Sequence, residues 1–143
     1  MHTLGRLAAL TVSTALLAAA PTASLAASSF RQAEGRTWTT VGTFEGGKHQ
    51  ACKVLINDGT TWKIHNRLVN GRQGKVGAGM TVQKNGVDTQ RTWDSGLIAR
   101  GATSKVGAVA IPKGKPAFTL VAFQYAAQAG TGGPLALGQI GRC

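Results

Sequence analysis

The chain has 143 residues, of which 16 are Lys or Arg and five are Asp or Glu, so its formal net charge at pH 7 is +11. A chain of this length forms one domain with a single core. The basic residues are dispersed and nowhere form a run of three. In the cytoplasm a strongly basic chain would suggest nucleic acid as a partner, whereas outside the cell it would suggest an anionic surface or an acidic protein. The dispersion of the charges is equally compatible with a surface that only keeps the protein soluble.

The first 26 residues have the pattern of a secretory signal peptide. Arg6 precedes an uncharged stretch rich in Ala and Leu, residues 7–20, which Pro21 ends before a small-residue cleavage site at Ala26. The apolar run of about 14 residues is shorter than the roughly 20 that span a bilayer. We therefore expect residues 1–26 to be removed, and the mature protein to be secreted without stable insertion into a membrane.

Residues 27–36 are predicted to form an extended N-terminal arm. They are small and polar, with Phe30 as the only large apolar side chain and Arg31 and Arg36 as the basic ones. Such an arm is either an inert spacer or a strand that adds to a partner, with Phe30 filling a pocket and the two arginines nearby.

The next segment predicts a first strand and a hairpin. Residues 38–44 alternate as a strand does, and residues 52–56 and 62–64 are two further runs separated by the turn signal Asn57-Asp58-Gly59. We expect these two runs to pair as antiparallel neighbours.

A second hairpin is predicted around Asn85-Gly86, because this dipeptide favours a two-residue type I′ turn. The simple antiparallel register that follows from such a turn predicts these pairs: Lys84 with Val87, Val82 with Thr89, Met80 with Arg91 and Ala78 with Trp93. Arg91 is the polar member of an otherwise apolar face. It either reaches water at a hairpin edge or contacts a partner.

The remaining segments complete an all-β prediction. Residues 106–111 indicate a strand, and residues 118–125 indicate a central strand with apolar side chains on both faces. The Gly-rich residues 130–134 are predicted to be a loop before a last strand at residues 135–143. No window shows a helical stripe. We expect residues 37–143 to be a single domain, a small antiparallel β-sandwich or barrel of about six to eight short strands.

The chain contains two cysteines, Cys52 and Cys143. An even number of cysteines in an exported chain predicts a disulfide. The partners of a redox or metal-binding thiol, such as a CxxC motif or a nearby pair of histidines, do not occur in the sequence. We therefore expect a structural disulfide between the last residue and an early strand.

We expect no catalytic site, no metal and no cofactor. His49 and His65 lack the neighbours of a metal site and are predicted to be surface residues. The segment 94–96 reads as a turn rather than as the site of a nucleophilic serine. The three tryptophans are either core residues or a platform for sugar stacking, and their places on apolar strand faces favour the core. They are Trp38, Trp62 and Trp93.

The layout of the mature chain resembles a known family. It combines an arm before the first strand, one early and one terminal cysteine, and the segment WDSGLIARG at residues 93–101. In size, layout and composition it is similar to the small linker subunit of the umbrella toxin particles that Streptomyces secretes. The resemblance implies a non-enzymatic adaptor that binds a repeat of the large toxin polypeptide and holds a lectin subunit through the N-terminal arm.

The alternative is a free-standing secreted basic protein. Its positive charge would direct it to anionic surfaces, either as an antimicrobial effector or as a protease inhibitor. Inhibitors of this size usually carry more disulfides than the single pair that this chain allows. In neither case do we expect nucleic acid as a partner.

Overall fold

A computed structural model describes residues 35–143, which form eight strands in two four-stranded antiparallel sheets. The all-β prediction is confirmed, and the architecture is a β-sandwich. The strands are β1 (Thr39–Phe44), β2 (Gly47–Ile56), β3 (Thr61–Asn70), β4 (Gly77–Lys84), β5 (Val87–Asp94), β6 (Gly107–Pro112), β7 (Phe118–Tyr125) and β8 (Gly130–Leu135). No helix within residues 35–143 has the length and apolarity needed to cross a membrane. The predicted signal peptide and residues 27–34 of the predicted arm lie outside the described residues.

The first sheet has the strand order β1-β2-β3-β6. Its two tight turns contain residues with positive φ, namely Glu45 and Gly46 between β1 and β2, and residues 57–59 between β2 and β3. Left-handed turns of this kind match the right-handed twist of the strands that they join. The hairpin predicted around Asn57-Asp58-Gly59 is confirmed, and it is continuous in register from Ile56 and Thr61 to the far end of both strands.

The second sheet has the order β5-β4-β7-β8. Strand β7 has the predicted bounds and lies between β4 and β8. Only one of its faces is covered by the other sheet. On the opposite face, Phe123 and Tyr125 lie over Gly79 and Gly77, where an added Cβ would come within 2.2 Å of a ring atom. These glycines allow the rings to lie close against β4.

The core lies between the two sheets. Alternate residues of the strands point inward, and the largest fully buried apolar side chains are Ile64, Leu68, Met80, Leu120 and Ile140. The last of these follows a short 3₁₀-helix, Leu137–Gln139. Ile140 therefore anchors the end of the chain in the core.

The register of the β4–β5 hairpin differs from the prediction. Lys84 pairs with Val87 as expected, but the register shifts beyond Gln83, so that Met80 lies opposite Trp93 rather than opposite Arg91. The irregularity lies around Gln90, which has φ 61°. A bulge of this kind changes the face of the sheet to which the following side chains point. Here it places Trp93 in the core, where it is 8% exposed.

The end of the chain also differs from the prediction. The Gly-rich segment at residues 130–135 is strand β8 rather than a loop, and residues 135–143 do not form a last strand. Instead, the C-terminal residues lie beside β2. The N–H of Lys53 donates to the carbonyl of Gly141, and the N–H of Cys143 donates to the carbonyl of Lys53. This parallel bridge continues the edge of the sheet beyond β1.

Replacing Gly86 by Val tests the β4–β5 turn. Gly86 has φ 79° and Asn85 has φ 51°. No atom lies within 4 Å of an added Cβ at Gly86, so the cost comes from the backbone conformation alone. We expect the free energy of unfolding to fall by about 1 kcal/mol or more, because a β-branched residue is strained at positive φ. Denaturant unfolding measures the loss, and an unchanged midpoint would contradict the turn assignment.

Candidate protein-binding face

The two sheets differ in charge. The strands of the first sheet contain no Asp or Glu, whereas those of the second contain two of each sign. The charged residues are Lys48, Lys53, Lys63 and Arg67 in the first sheet, and Lys84, Arg91, Asp88 and Asp94 in the second. The first sheet is therefore the cationic layer of the sandwich.

Most of these cations project from the outer face of the first sheet. Ile64 and Leu68 of β3 are fully buried, so the alternate residues Lys63 and Arg67 point away from the core. Lys48 of β2 lies on the same outer face, because it pairs with Val69. We call this surface, centred on Lys48, Lys63 and Arg67, the cationic face.

Arg67 is held in place by two neighbours. Its Nε donates a hydrogen bond of 2.8 Å to Gln50 Oε1 on β2. Its guanidinium lies 4.3 Å from the centroid of the Trp38 ring, a distance at which cation–π attraction contributes. A cation ordered before binding loses less conformational entropy when it contacts an anion. Arg67 is therefore suited to be the central contact of the face.

His65 lies between Lys63 and Arg67 on the same strand. Partial burial is the main reason that its pKa is lowered to about 4, and the positive charges of Arg36 and Lys63 contribute to the same shift. The imidazole is therefore neutral at pH 7. A carboxylate placed on this face would favour the protonated form and raise the pKa of His65.

This arrangement can bind an acidic surface of another protein. Three cations on a sheet whose strands contain no Asp or Glu attract an anionic partner and guide its approach. Lys63 and Arg67 were not among the predicted site residues, and His65 was predicted only to be a surface residue. Their alternate spacing opposite apolar neighbours was the signal that could have found them.

Of the four residues predicted to contact a partner, the structure describes two, Arg36 and Arg91. Arg36 acts electrostatically on His65, which brings it to the cationic face. Arg91 is exposed on β5, with Nη1 3.5 Å from the carbonyl of Ala110, the β6 residue that pairs with Lys63. Phe30 and Arg31 lie outside the described residues.

The predicted cysteine pair is confirmed. Cys52 and Cys143 lie at disulfide distance, with their Cα atoms 4.9 Å apart and a sequence separation of 91. Cys52 is fully buried and pairs across the sheet with His65. The C-terminal tail is thus tied to the outer side of the first sheet, next to the cationic face.

The prediction of two surface histidines is wrong for His49, which is fully buried, and His65 is half-buried. Trp93 is a core residue as expected. Trp38 and Trp62 are half-buried and carry cations against their rings instead of forming a shared platform. Within residues 35–143, no three His, Cys, Asp or Glu side chains come together as a possible metal site.

Comparison of the chain with protein-family models, with curated proteins and with solved structures finds no match.

Proposed function

We propose that this protein is a secreted, non-catalytic adaptor of an antibacterial toxin particle. In this proposal the β domain binds a repeat of a large toxin polypeptide through the cationic face. The N-terminal arm, residues 27–36, holds a lectin subunit. The proposal combines the resemblance of the chain to umbrella toxin linker subunits with the surface that the sandwich presents.

The cationic face is the observation that supports the proposal most directly. Lys48 projects from β2, and Lys63 and Arg67 project from β3, in a sheet whose four strands contain no Asp or Glu. A face that only kept the protein soluble would not need cations segregated on one layer, since mixed charges serve solubility as well. The segregation favours a partner with an acidic surface.

The position of the arm is compatible with two partners at once. Residues 27–36 end one residue before Trp38, which lies against Arg67 on the cationic face. An adaptor built in this way holds both partners close to each other. One partner contacts the sheet, and the other receives the arm by strand addition.

Size-exclusion chromatography of the culture supernatant of the source organism tests the proposal. We expect the protein to elute in a large assembly, together with a repeat-containing polypeptide and a lectin that mass spectrometry identifies. A free effector or inhibitor would elute alone at about 12 kDa, from about 0.11 kDa per residue of a compact domain. Elution at that mass from fresh supernatant would overturn the adaptor function.

Charge reversal on the cationic face tests directly whether this surface binds the repeat polypeptide. We expect the double variant Lys48→Glu/Lys63→Glu, carrying an affinity tag, to recover about tenfold less of the repeat polypeptide than the original chain, because like charges then face each other at the interface. Recovery of the lectin should not change, since the arm is intact. Quantitative mass spectrometry of the recovered proteins measures both.

The matched control is Lys105→Glu/Lys115→Glu. These lysines are exposed in loops outside the strands, and the variant changes the net charge by the same amount. We expect it to recover both partners normally. Equal losses in the two double variants would mean that total charge rather than the cationic face directs binding. Deletion of residues 27–35, which keeps Arg36 at the cationic face, should have the converse effect and reduce only the recovery of the lectin.

A further inference from the structure

A cavity of about 200 Å³ opens between the edge strands β1 and β8. Its walls are residues 41–43 of β1, residues 122–124 of β7, residues 131–135 of β8, and His49 of β2. Within residues 35–143, strand β1 pairs only with β2, and β8 pairs only with β7. The described part of the sandwich is therefore open on this side, and the cavity reaches from its edge to the buried His49.

His49 lines this cavity, and one of its ring nitrogens has no hydrogen-bond partner in the described part of the chain. Its Nε2 lies 3.0 Å from Asn66 Oδ1. The Nδ2 of Asn66 donates to the carbonyl of Ile64, which assigns Oδ1 as the acceptor and places the imidazole proton on Nε2. The other ring nitrogen, Nδ1, is buried and has no hydrogen-bond partner among residues 35–143. A buried polar atom in this state costs free energy until a donor reaches it.

Gln124 provides a second acceptor on the cavity wall. This side chain is 3% exposed, and its Nε2 donates 3.2 Å to the carbonyl of Gly47. The amide is thereby oriented, so Oε1 points the other way, and it lies 3.0 Å from the place where a Cβ on Gly42 would be. Gly42 itself lines the cavity. Its missing side chain leaves Oε1 accessible from that side.

The size of the cavity and its lack of charge narrow the ligand class. A volume of about 200 Å³ would hold roughly six water molecules at the density of the liquid, far more than one bridging water. It is smaller than the roughly 300 Å³ at which drug-sized pockets begin. Among residues 35–143, no Lys, Arg, Asp or Glu lines it, so an anion finds no countercharge there. A cation is repelled by a chain of formal net charge +11.

We propose that this cavity binds a small neutral polyol, of about the size of one monosaccharide, through hydroxyl groups that donate to His49 Nδ1 and Gln124 Oε1. The apolar wall formed by Ala122 and Leu135 receives the carbon skeleton of the ligand. Binding here is independent of the proposed adaptor function, because the cavity lies between the sheets and the cationic face lies outside them.

Titration of the purified protein with four probes tests this site. The neutral probes are D-glucose, D-mannose and N-acetyl-D-glucosamine, and D-glucosamine is the cationic counterpart of the last. We expect saturable binding of at least one neutral sugar with a Kd on the order of 1 mM, as suits a ligand with few contacts. We expect D-glucosamine to bind about tenfold more weakly than N-acetyl-D-glucosamine, because of the positive potential.

The nitrogen resonances of the His49 ring give the site-specific readout. A hydroxyl that donates to the bare Nδ1 moves its ¹⁵N resonance upfield, whereas the Nε2 resonance, already bonded to Asn66, changes little. We expect this shift to saturate along the same curve as binding. If no neutral sugar moves the Nδ1 resonance, the cavity holds only water and the proposal is wrong.

Filling the cavity is the second test, and Gly133 is the position that allows it. Gly133 lines the cavity, has nothing within 4 Å of an added Cβ, and does not need positive φ. We expect Gly133→Leu to weaken sugar binding by about tenfold or more, because the side chain occupies the space of the ligand, while the midpoint of thermal unfolding is unchanged.

The matched control is Gly138→Leu. Gly138 also has open space around an added Cβ and lies away from the cavity, so this variant should bind the sugar normally. Unchanged binding in Gly133→Leu would place the sugar elsewhere and overturn the proposal. The ¹⁵N measurement on the unsubstituted protein keeps the test decisive if Gly133→Leu fails to fold.

Discussion

Replacing Cys52 and Cys143 by Ala is expected to lower the free energy of unfolding by about 4 kcal/mol. The two cysteines are 91 residues apart in sequence. A cross-link over so long a loop restricts the unfolded chain strongly, and the chain-entropy relation gives about 4 to 5 kcal/mol for it. Guanidinium unfolding at neutral pH measures the loss. Because the unfolded chain also becomes less compact, the slope of the unfolding free energy against denaturant should increase.

A control distinguishes the contribution of the disulfide to stability from the contribution of the C-terminal tail contacts. Ile140 is 1% exposed in the core, and the bridge between Lys53 and the tail adds two backbone hydrogen bonds. These contacts remain available in the Cys→Ala variant. The reduced form of the original protein should therefore unfold at nearly the same denaturant concentration as the variant. A loss below about 1 kcal/mol would mean that the contacts of the tail, rather than the cross-link, determine stability.

The hairpins of this fold could be predicted from the sequence because their signals are local. Residues 57–59 and the pair Asn85-Gly86 adopt positive φ in the structure, and Asn, Asp and Gly are the residues that tolerate this conformation best. Strand β7 was predicted to the residue, because its apolar run is long and bounded by a turn. The pairing of Cys52 with Cys143 followed from the number of cysteines alone.

The register of β5 and the identity of β8 could not be predicted, because they depend on distant residues. The bulge at Gln90 serves the burial of Trp93 opposite Met80, and nothing in the local sequence indicates it. Strand β8 is poor in strand-forming residues. Its Gly132 lies so close to Phe123 that an added Cβ would come within 2.8 Å of the Cβ of that residue. This glycine-rich segment forms a strand because its context favours it: residues without side chains fit closely against Phe123 of β7.

The candidate sites, like the strands, were predictable only where their signal is local in the sequence. The alternation of Lys63 and Arg67 in β3 is visible in the sequence, and with a correct strand assignment it places both on one face. The cavity was not predictable, because β1, β2, β7 and β8 all contribute to it. The burial of His49 was also missed. Its neighbours in sequence, Lys48 and Gln50, suggested a surface segment, but both lie on the other face of the strand.

Acidification should destabilise the protein through His49. Burial lowers the pKa of this side chain from 6.5 to about 4, although its hydrogen bond to Asn66 acts in the opposite direction. In the unfolded chain the same imidazole has its ordinary pKa. Between pH 6.5 and about 4 the unfolded state therefore binds a proton that the folded state does not, so stability falls as the pH falls. The full difference corresponds to about 3 kcal/mol.

The measurement is the free energy of unfolding between pH 7.5 and pH 4, compared with that of a His49→Gln variant. We expect the original protein to lose about 3 kcal/mol through His49 over this interval, and we expect the variant to lose correspondingly less. His49→Gln lowers stability at pH 7.5 as well, so the dependence on pH, not the absolute value, decides the result.

His65→Gln is the matched control, because His65 has a pKa lowered in the same direction. This side chain is partly exposed, and solvent reduces the effect of its shift on stability. We therefore expect the His65→Gln variant to keep most of the pH dependence of the original protein. If His65→Gln removed the dependence and His49→Gln did not, the proton that destabilises the fold would enter at the cationic face. The core imidazole would then not be the group that limits stability in acid.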